Sequence, residues 1–147
     1  MKMTWASLLA NNTVSALPPT KAELDKLRSI VSRSLKDAAA PGLSTDARFI
    51  MAYDAARTMA LIIVRAAGYR PKMTGGHHNT FVALETAAPA FATQSAYFDG
   101  CRIKRNASEY DAAGGVSETE AGGLFETARQ FAIEAEAWIK THHPHLA

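Results

Sequence analysis

The run Arg102-Ile103-Lys104-Arg105-Asn106-Ala107-Ser108-Glu109-Tyr110 gathers the side chains of this chain best suited to holding an anion. Arginine donates hydrogen bonds in a planar fork that fits phosphate, asparagine both donates and accepts, and tyrosine adds a hydroxyl. On a helix Arg102, Asn106 and Tyr110 fall at i, i+4 and i+8 and share a face, while Arg105 and Glu109, four apart, are placed to pair beside it. Two readings stand at this point. One is a solvated helix end laced by an Arg–Glu pair, which contributes little. The other is a phosphate site: Arg102 and Arg105 contact the anion, Asn106 orients it, Tyr110 donates a hydrogen bond or stacks on a base, and Glu109 holds Arg105.

His77 and His78 follow Gly75-Gly76 at a predicted helix start, where backbone amides favour an anion. Neighbours on a helix diverge by about 100°, so the two do not chelate one metal in the i, i+4 manner. They either cap and pack, or one of them reaches the face of Arg102 and Tyr110. His142, His143 and His145 surround Pro144 and read as a solvated tail. Cys101 is the only cysteine, has no disulfide partner within the chain, and reads as a small apolar side chain in a reducing compartment. No Gly-Lys-Ser/Thr follows either glycine pair, so there is no phosphate loop. No metal-ligand spacing, cofactor motif or Ser–His–Asp arrangement is present, and neither a metal nor a cofactor is expected. Asp46 and Asp54, eight apart, are read as structural residues placed to reach the arginines.

The elements that must position these groups are helical. The 147 residues suit one domain, and a hydrophobic fraction of 48% with 20% charged residues suits a globular one. Alanine dominates and strand formers are sparse. The net charge of +2 is too small to support bulk nucleic-acid binding on charge alone. Residues 1–19 read as a lead-in that packs on the body through Trp5 and Leu8, ended by Pro18-Pro19. Residues 20–141 read as an all-α, up-and-down antiparallel bundle of four to five helices, and 142–147 as a tail. Thr20 with Glu23, and Ser117 with Glu120, have capping-box spacing, and Val116 is placed for a staple against Ala121. Ser44 opens a central helix with a broad apolar stripe, closed by Gly68. Helices are predicted over about 77–88 and, after Pro89, up to Tyr110. The apolar run 59–67 contains Arg65 and is too short to span a bilayer. With no signal-peptide pattern, the expectation is a cytoplasmic chain with no membrane partner.

The order of these features resembles the HEPN family, small helical-bundle proteins of prokaryotic toxin–antitoxin, phage-defence and stress systems. Arg102-x-x-Arg105-Asn106-x-x-Glu109-Tyr110 lies on the penultimate long helix. Ala52-Tyr53-Asp54-Ala55-Ala56, Gly68-Tyr69-Arg70, Gly76-His77-His78 and Val116-Ser117 with Glu120 agree in order. The resemblance spans residues 5–138 and is nearest a bacterial single-domain branch. It implies a homodimer paired through its motif helices, with RNA or a nucleotide as ligand and a cognate antitoxin or nucleotidyltransferase as partner. It also implies metal-independent endoribonuclease chemistry, in which a ribose 2′-hydroxyl attacks the adjacent phosphate. Arg105 would then be the catalytic arginine and Asn106 its polar neighbour. The chain departs from that pattern at Tyr110, which stands where the family's ribonucleases carry histidine. Tyrosine, with a reference pKa near 10, is a poor base at neutral pH. A related branch carries a modifiable tyrosine two residues after the histidine, and Tyr110 is not at that position. The alternatives are a catalytically silent bundle acting as an interaction or antitoxin-like module, and a small-ligand or nucleotide sensor.

Overall fold

The computed structural model describes residues 3–110 and 115–147, with the side chains of 107–110 outside the described set. Six α-helices carry it: α1 (Trp5–Ala10), α2 (Lys21–Ala38), α3 (Thr45–Ala66), α4 (Gly76–Ala87), α5 (Ala92–Tyr110) and α6 (Glu118–His142). Short 3-10 turns, Pro89–Phe91 and Pro144–Leu146, follow α4 and α6. The chain is an all-α bundle, as its periodicity predicts. One small addition was not visible in the sequence. Strands β1 (Val14–Ala16) and β2 (Tyr69–Pro71) pair antiparallel, with Val14 opposite Pro71, Ser15 opposite Arg70 and Ala16 opposite Tyr69.

Local chemistry sets the helix ends. The hydroxyls of Thr20, Ser44 and Ser117 accept from the amides of Glu23, Ala47 and Glu120, satisfying donors that a helix start leaves unpaired. At Ser117 the capping box closes, because Glu120 also accepts from the Ser117 amide at 3.0 Å. At Thr20 it does not: the Glu23 carboxylate turns away to Arg65. Gly68, just past α3, takes a φ of +96°, a conformation open to glycine at little cost.

The hub is α3, which packs against α2, α4, α5 and α6. Alanines 52, 55, 56 and 60 let its neighbours approach, and Tyr53, Met59, Ile62 and Ile63 fill the spaces between them. Phe98 of α5 and Phe131 of α6 meet at 5.2 Å, with Phe91 edge-on to Phe131 at 5.1 Å. Each such fully buried side chain contributes about 1.5–3 kcal/mol. Cys101 is buried among them, and burial pushes its thiol up to about 11.

Arg65, the charge that interrupts the apolar run, is only 2% exposed. It donates to both Glu23 carboxylate oxygens, at 2.8 and 3.0 Å, and to the carbonyls of Leu17, Pro18 and Tyr69 at 2.8, 3.1 and 2.9 Å. The C-terminal residues also depart from expectation. Leu146 is buried, and Arg28 donates to its carbonyl at 2.8 Å, so Leu146 anchors the segment after α6 on α2 while Pro144, His145 and Ala147 stay exposed. Among the described residues no helix is long and apolar enough to cross a membrane.

Candidate phosphate-binding site

Where α3, β2, the start of α4 and the end of α5 converge, an open pocket of about 800 Å³ forms. Its walls come from short-range spacing. Arg57 and Leu61, four apart, line it from α3, and Arg102 and Asn106, four apart, from α5. Arg70, Lys72 and Met73 enter from β2 and the loop beyond it, and His77, His78 and Thr80 from α4. The loop is fixed by Asn79, whose amide donates to the Thr74 carbonyl at 2.7 Å, and by Gly75 at φ +70°. Four permanent cations, Arg57, Arg70, Lys72 and Arg102, line this pocket, and none of its lining residues is acidic among the described residues. Arg57 Nε is buried without a hydrogen-bond partner among the described residues.

The two histidines diverge, as adjacent helical residues must. His77 turns inward, its Nδ1 3.1 Å from the hydroxyl of fully buried Tyr53. Burial, followed by the charges of Arg57, Arg105 and Arg102, lowers the His77 pKa to about 4, so its ring is neutral at neutral pH. Burial likewise pushes the Tyr53 hydroxyl up, against the opposing pull of Arg57, Arg105 and Arg102. A buried hydroxyl proton needs an acceptor. Among the described residues His77 Nδ1 stands at hydrogen-bond distance to take it, and the tautomer that does so carries its proton on Nε2.

His78 turns the other way, its Nδ1 3.1 Å from Asp99 Oδ1 and 3.2 Å from Oδ2. Arg102 Nε donates to Asp99 Oδ1 at 2.8 Å, so one carboxylate organises both cation and imidazole. Burial alone would raise the Asp99 carboxyl, but the hydrogen bonds from Arg102 and His78 outweigh it and hold it below the usual carboxylate range. A carboxylate facing Nδ1 places the ring proton there and leaves Nε2 as the acceptor.

The structure therefore brings together Arg102, Asn106, His77 and His78 of the residues singled out in the sequence. Arg105 does not line the pocket. Its guanidinium lies 5.5 Å from the centre of the Tyr53 ring, a cation–π contact, and its Nε is 3.9 Å from Asp54 Oδ1. Arg105 thus sits behind the tyrosine that faces His77. The side chains of Glu109 and Tyr110 lie outside the described residues.

A family model described as HEPN_SAV_6107-like HEPN matches residues 39–136. The chain belongs to the HEPN family. No curated protein and no solved structure matches it. Every described residue that lines the pocket falls inside the HEPN match, whereas α1, β1 and all of α2 precede it. In this HEPN chain the end of the motif helix α5 faces the start of α4. Sequence reasoning missed Asp99, which stands three residues before Arg102 on α5, a spacing that could have flagged it. It missed Arg57 because α3 reads as an apolar stripe. Lys72 carries no local signal, and Arg70 stands out only within the Gly68-Tyr69-Arg70 resemblance, which gives it no role, since the β1–β2 pairing places them.

Proposed function

We propose that this HEPN protein binds the phosphate of RNA or a nucleotide in the pocket between α3, α4 and α5. On this reading it acts as a metal-independent endoribonuclease of a toxin–antitoxin or defence-type system. The observation that carries the reading is the convergence of Arg57, Arg70, Lys72 and Arg102 on one pocket, in a chain whose net charge is only +2. The positive charge is local, which suits recognition of one phosphate group or a short run of them better than coating of a long polyanion. Arg102 contacts phosphate, Asn106 orients it, and Arg105 supports the site through Tyr53. The chain works as a homodimer that pairs through α5, whose outer face presents Thr93, Ala96, Gly100 and Ile103 to solvent.

Tyr110, in place of the family's histidine, favours a second reading in which the pocket binds but does not cut.

The test is cleavage of total RNA by the purified protein in EDTA, beside fluorescence-anisotropy binding of a labelled single-stranded RNA. The expected result is binding that weakens with salt, with the salt slope reduced by about 0.7 in Arg102→Ala. Cleavage is expected to persist in EDTA and to fall in both Arg102→Ala and Arg105→Ala. Binding without cleavage selects the second reading. A folded protein that binds no RNA or nucleotide overturns both.

A further inference from the structure

We infer that α2 and α6 form a second contact surface, remote from the pocket, on which another copy of this chain docks by antiparallel pairing of α6 across Ile133. The inference does not depend on the phosphate-binding reading.

The surface follows from the packing. Helices α2 and α6 each pack along α3 but touch one another little, so a furrow of about 500 Å³ stays open between them. Met59 of α3 is its floor, and Val31, Leu35, Ala132 and Ile133 are its apolar walls. The rim charges are already paired: Arg28 Nε donates to Glu136 at 2.8 Å, and Arg129 Nε to Glu126 at 3.0 Å. A furrow of this kind offers an ion little and suits the apolar stripe of a helix.

The stripe that fits is on the same chain. Ile133 stands on the rim of the furrow and is 55% exposed, so knob and hole lie side by side on one surface, as a self-complementary contact requires. Glu126, Ile133 and Lys140 are seven residues apart along α6 and share one stripe, and all three are exposed. A two-fold axis at Ile133 pairs α6 with the copy's α6 running the other way. Each Glu126 then meets the copy's Lys140, and each Ile133 enters the copy's furrow. Parallel pairing would set Glu126 against Glu126 and Lys140 against Lys140. Exposed charges of this kind fix register more than strength. The walls are only two helical turns long, which places the contact among weak interfaces, those below about 1,200 Å². Together with the pairing proposed through α5, it joins dimers into a closed tetramer or an open chain.

The experiment is light scattering and sedimentation of the full chain from about 1 μM to about 1 mM, the range in which weak contacts fill. The wild-type mass is expected to at least double toward the concentrated end. Ile133→Asp should weaken that association at least about tenfold while keeping the helical circular dichroism, because the side chain is half exposed. Glu126→Lys should weaken it, and adding Lys140→Glu should recover part of the loss, a rescue that a general change of surface charge would not give. Ile133→Cys in a Cys101→Ala background should be linked to its own copy by a short bis-maleimide, since a residue on a two-fold axis faces itself. Gly100→Arg, monomeric when dilute, should still double on concentration. A folded wild type whose mass does not rise overturns the inference and leaves the furrow to a helix of another protein. Association untouched by Ile133→Asp, or without the Ile133→Cys cross-link, overturns it by placing the contact elsewhere.

Discussion

The Tyr53–His77 pair shows how one residue's ionisation can be set by packing. In the unfolded chain His77 takes up a proton near its ordinary value of 6.5, but in the folded chain only near 4. Between those values the unfolded state binds more protons, so stability rises with pH across the window. The contribution of a neutral His77 is fully present above pH 6.5 and is lost as pH falls toward 4. Its partial burial leaves the group in reach of solvent screening, so the slope is shallow. His77→Gln, which cannot ionise, should flatten the dependence, and urea-melting midpoints at neutral pH and about pH 5 would show it. An unchanged slope in the variant would place the pH sensitivity in other groups. None of this was legible from the His77-His78 dipeptide. The sequence indicates a helix start rich in histidine, but burial against α3 decides which ring is driven neutral and which meets a carboxylate.

At the scale of elements, α5 serves two faces. Phe98 and Cys101 bury one against α3 and α6, while Arg102 and Asn106 edge the pocket. Its length, the Pro89 break before it and the four-residue spacing of Arg102 and Asn106 could all be read from the sequence, because each depends on residues within a few positions. The α4 start opposite it could be read as an element but not as a neighbour. The β1–β2 pair was illegible for the same reason. Three residues such as Val14-Ser15-Ala16 are too few for periodicity to show, and their partner lies far along the chain. On the outer face of α5, Gly100 is exposed, and a Cβ built there meets nothing within 4 Å. A glycine inside a helix costs about 0.5–1 kcal/mol relative to alanine. Gly100→Ala should therefore raise the melting temperature of the protomer. Gly100→Arg should keep the helical fold but separate the proposed α5-paired homodimer into monomers, as measured by light scattering after size exclusion. A Gly100→Arg protein that remains dimeric would move the interface to another face.

At the scale of the whole molecule, Arg65 is the fastening between the N-terminal segment and the bundle. Its five hydrogen bonds join Glu23 of α2, the Leu17 and Pro18 carbonyls before it, and the Tyr69 carbonyl at the start of β2. Stacking of Trp5 on Tyr69 at 3.8 Å and the bond from the Lys72 amide to the Thr13 carbonyl at 2.9 Å continue the same seam. That seam runs directly into the pocket, because Arg70 and Lys72 stand on the strand and loop it holds. Arg65→Met leaves the Glu23 carboxylate and three carbonyls without their donor in a partly dry site, which costs about 3–5 kcal/mol. Arg65→Lys should recover only part of this, since a single ammonium cannot serve five acceptors spread around a planar fork. Urea denaturation measures the loss, and the fluorescence of Trp5, set beside that of Trp138 in a Trp5→Phe variant, shows whether the N-terminal seam opens first. If β2 is held in place from this side, Arg65→Met will also weaken RNA binding under conditions where the bundle is still folded, although Arg65 itself is remote from solvent. Equal affinity in the folded variant would mean that Arg70 and Lys72 keep their places through Asn79 and α4 alone, and that the N-terminal segment stabilises the molecule without shaping its site.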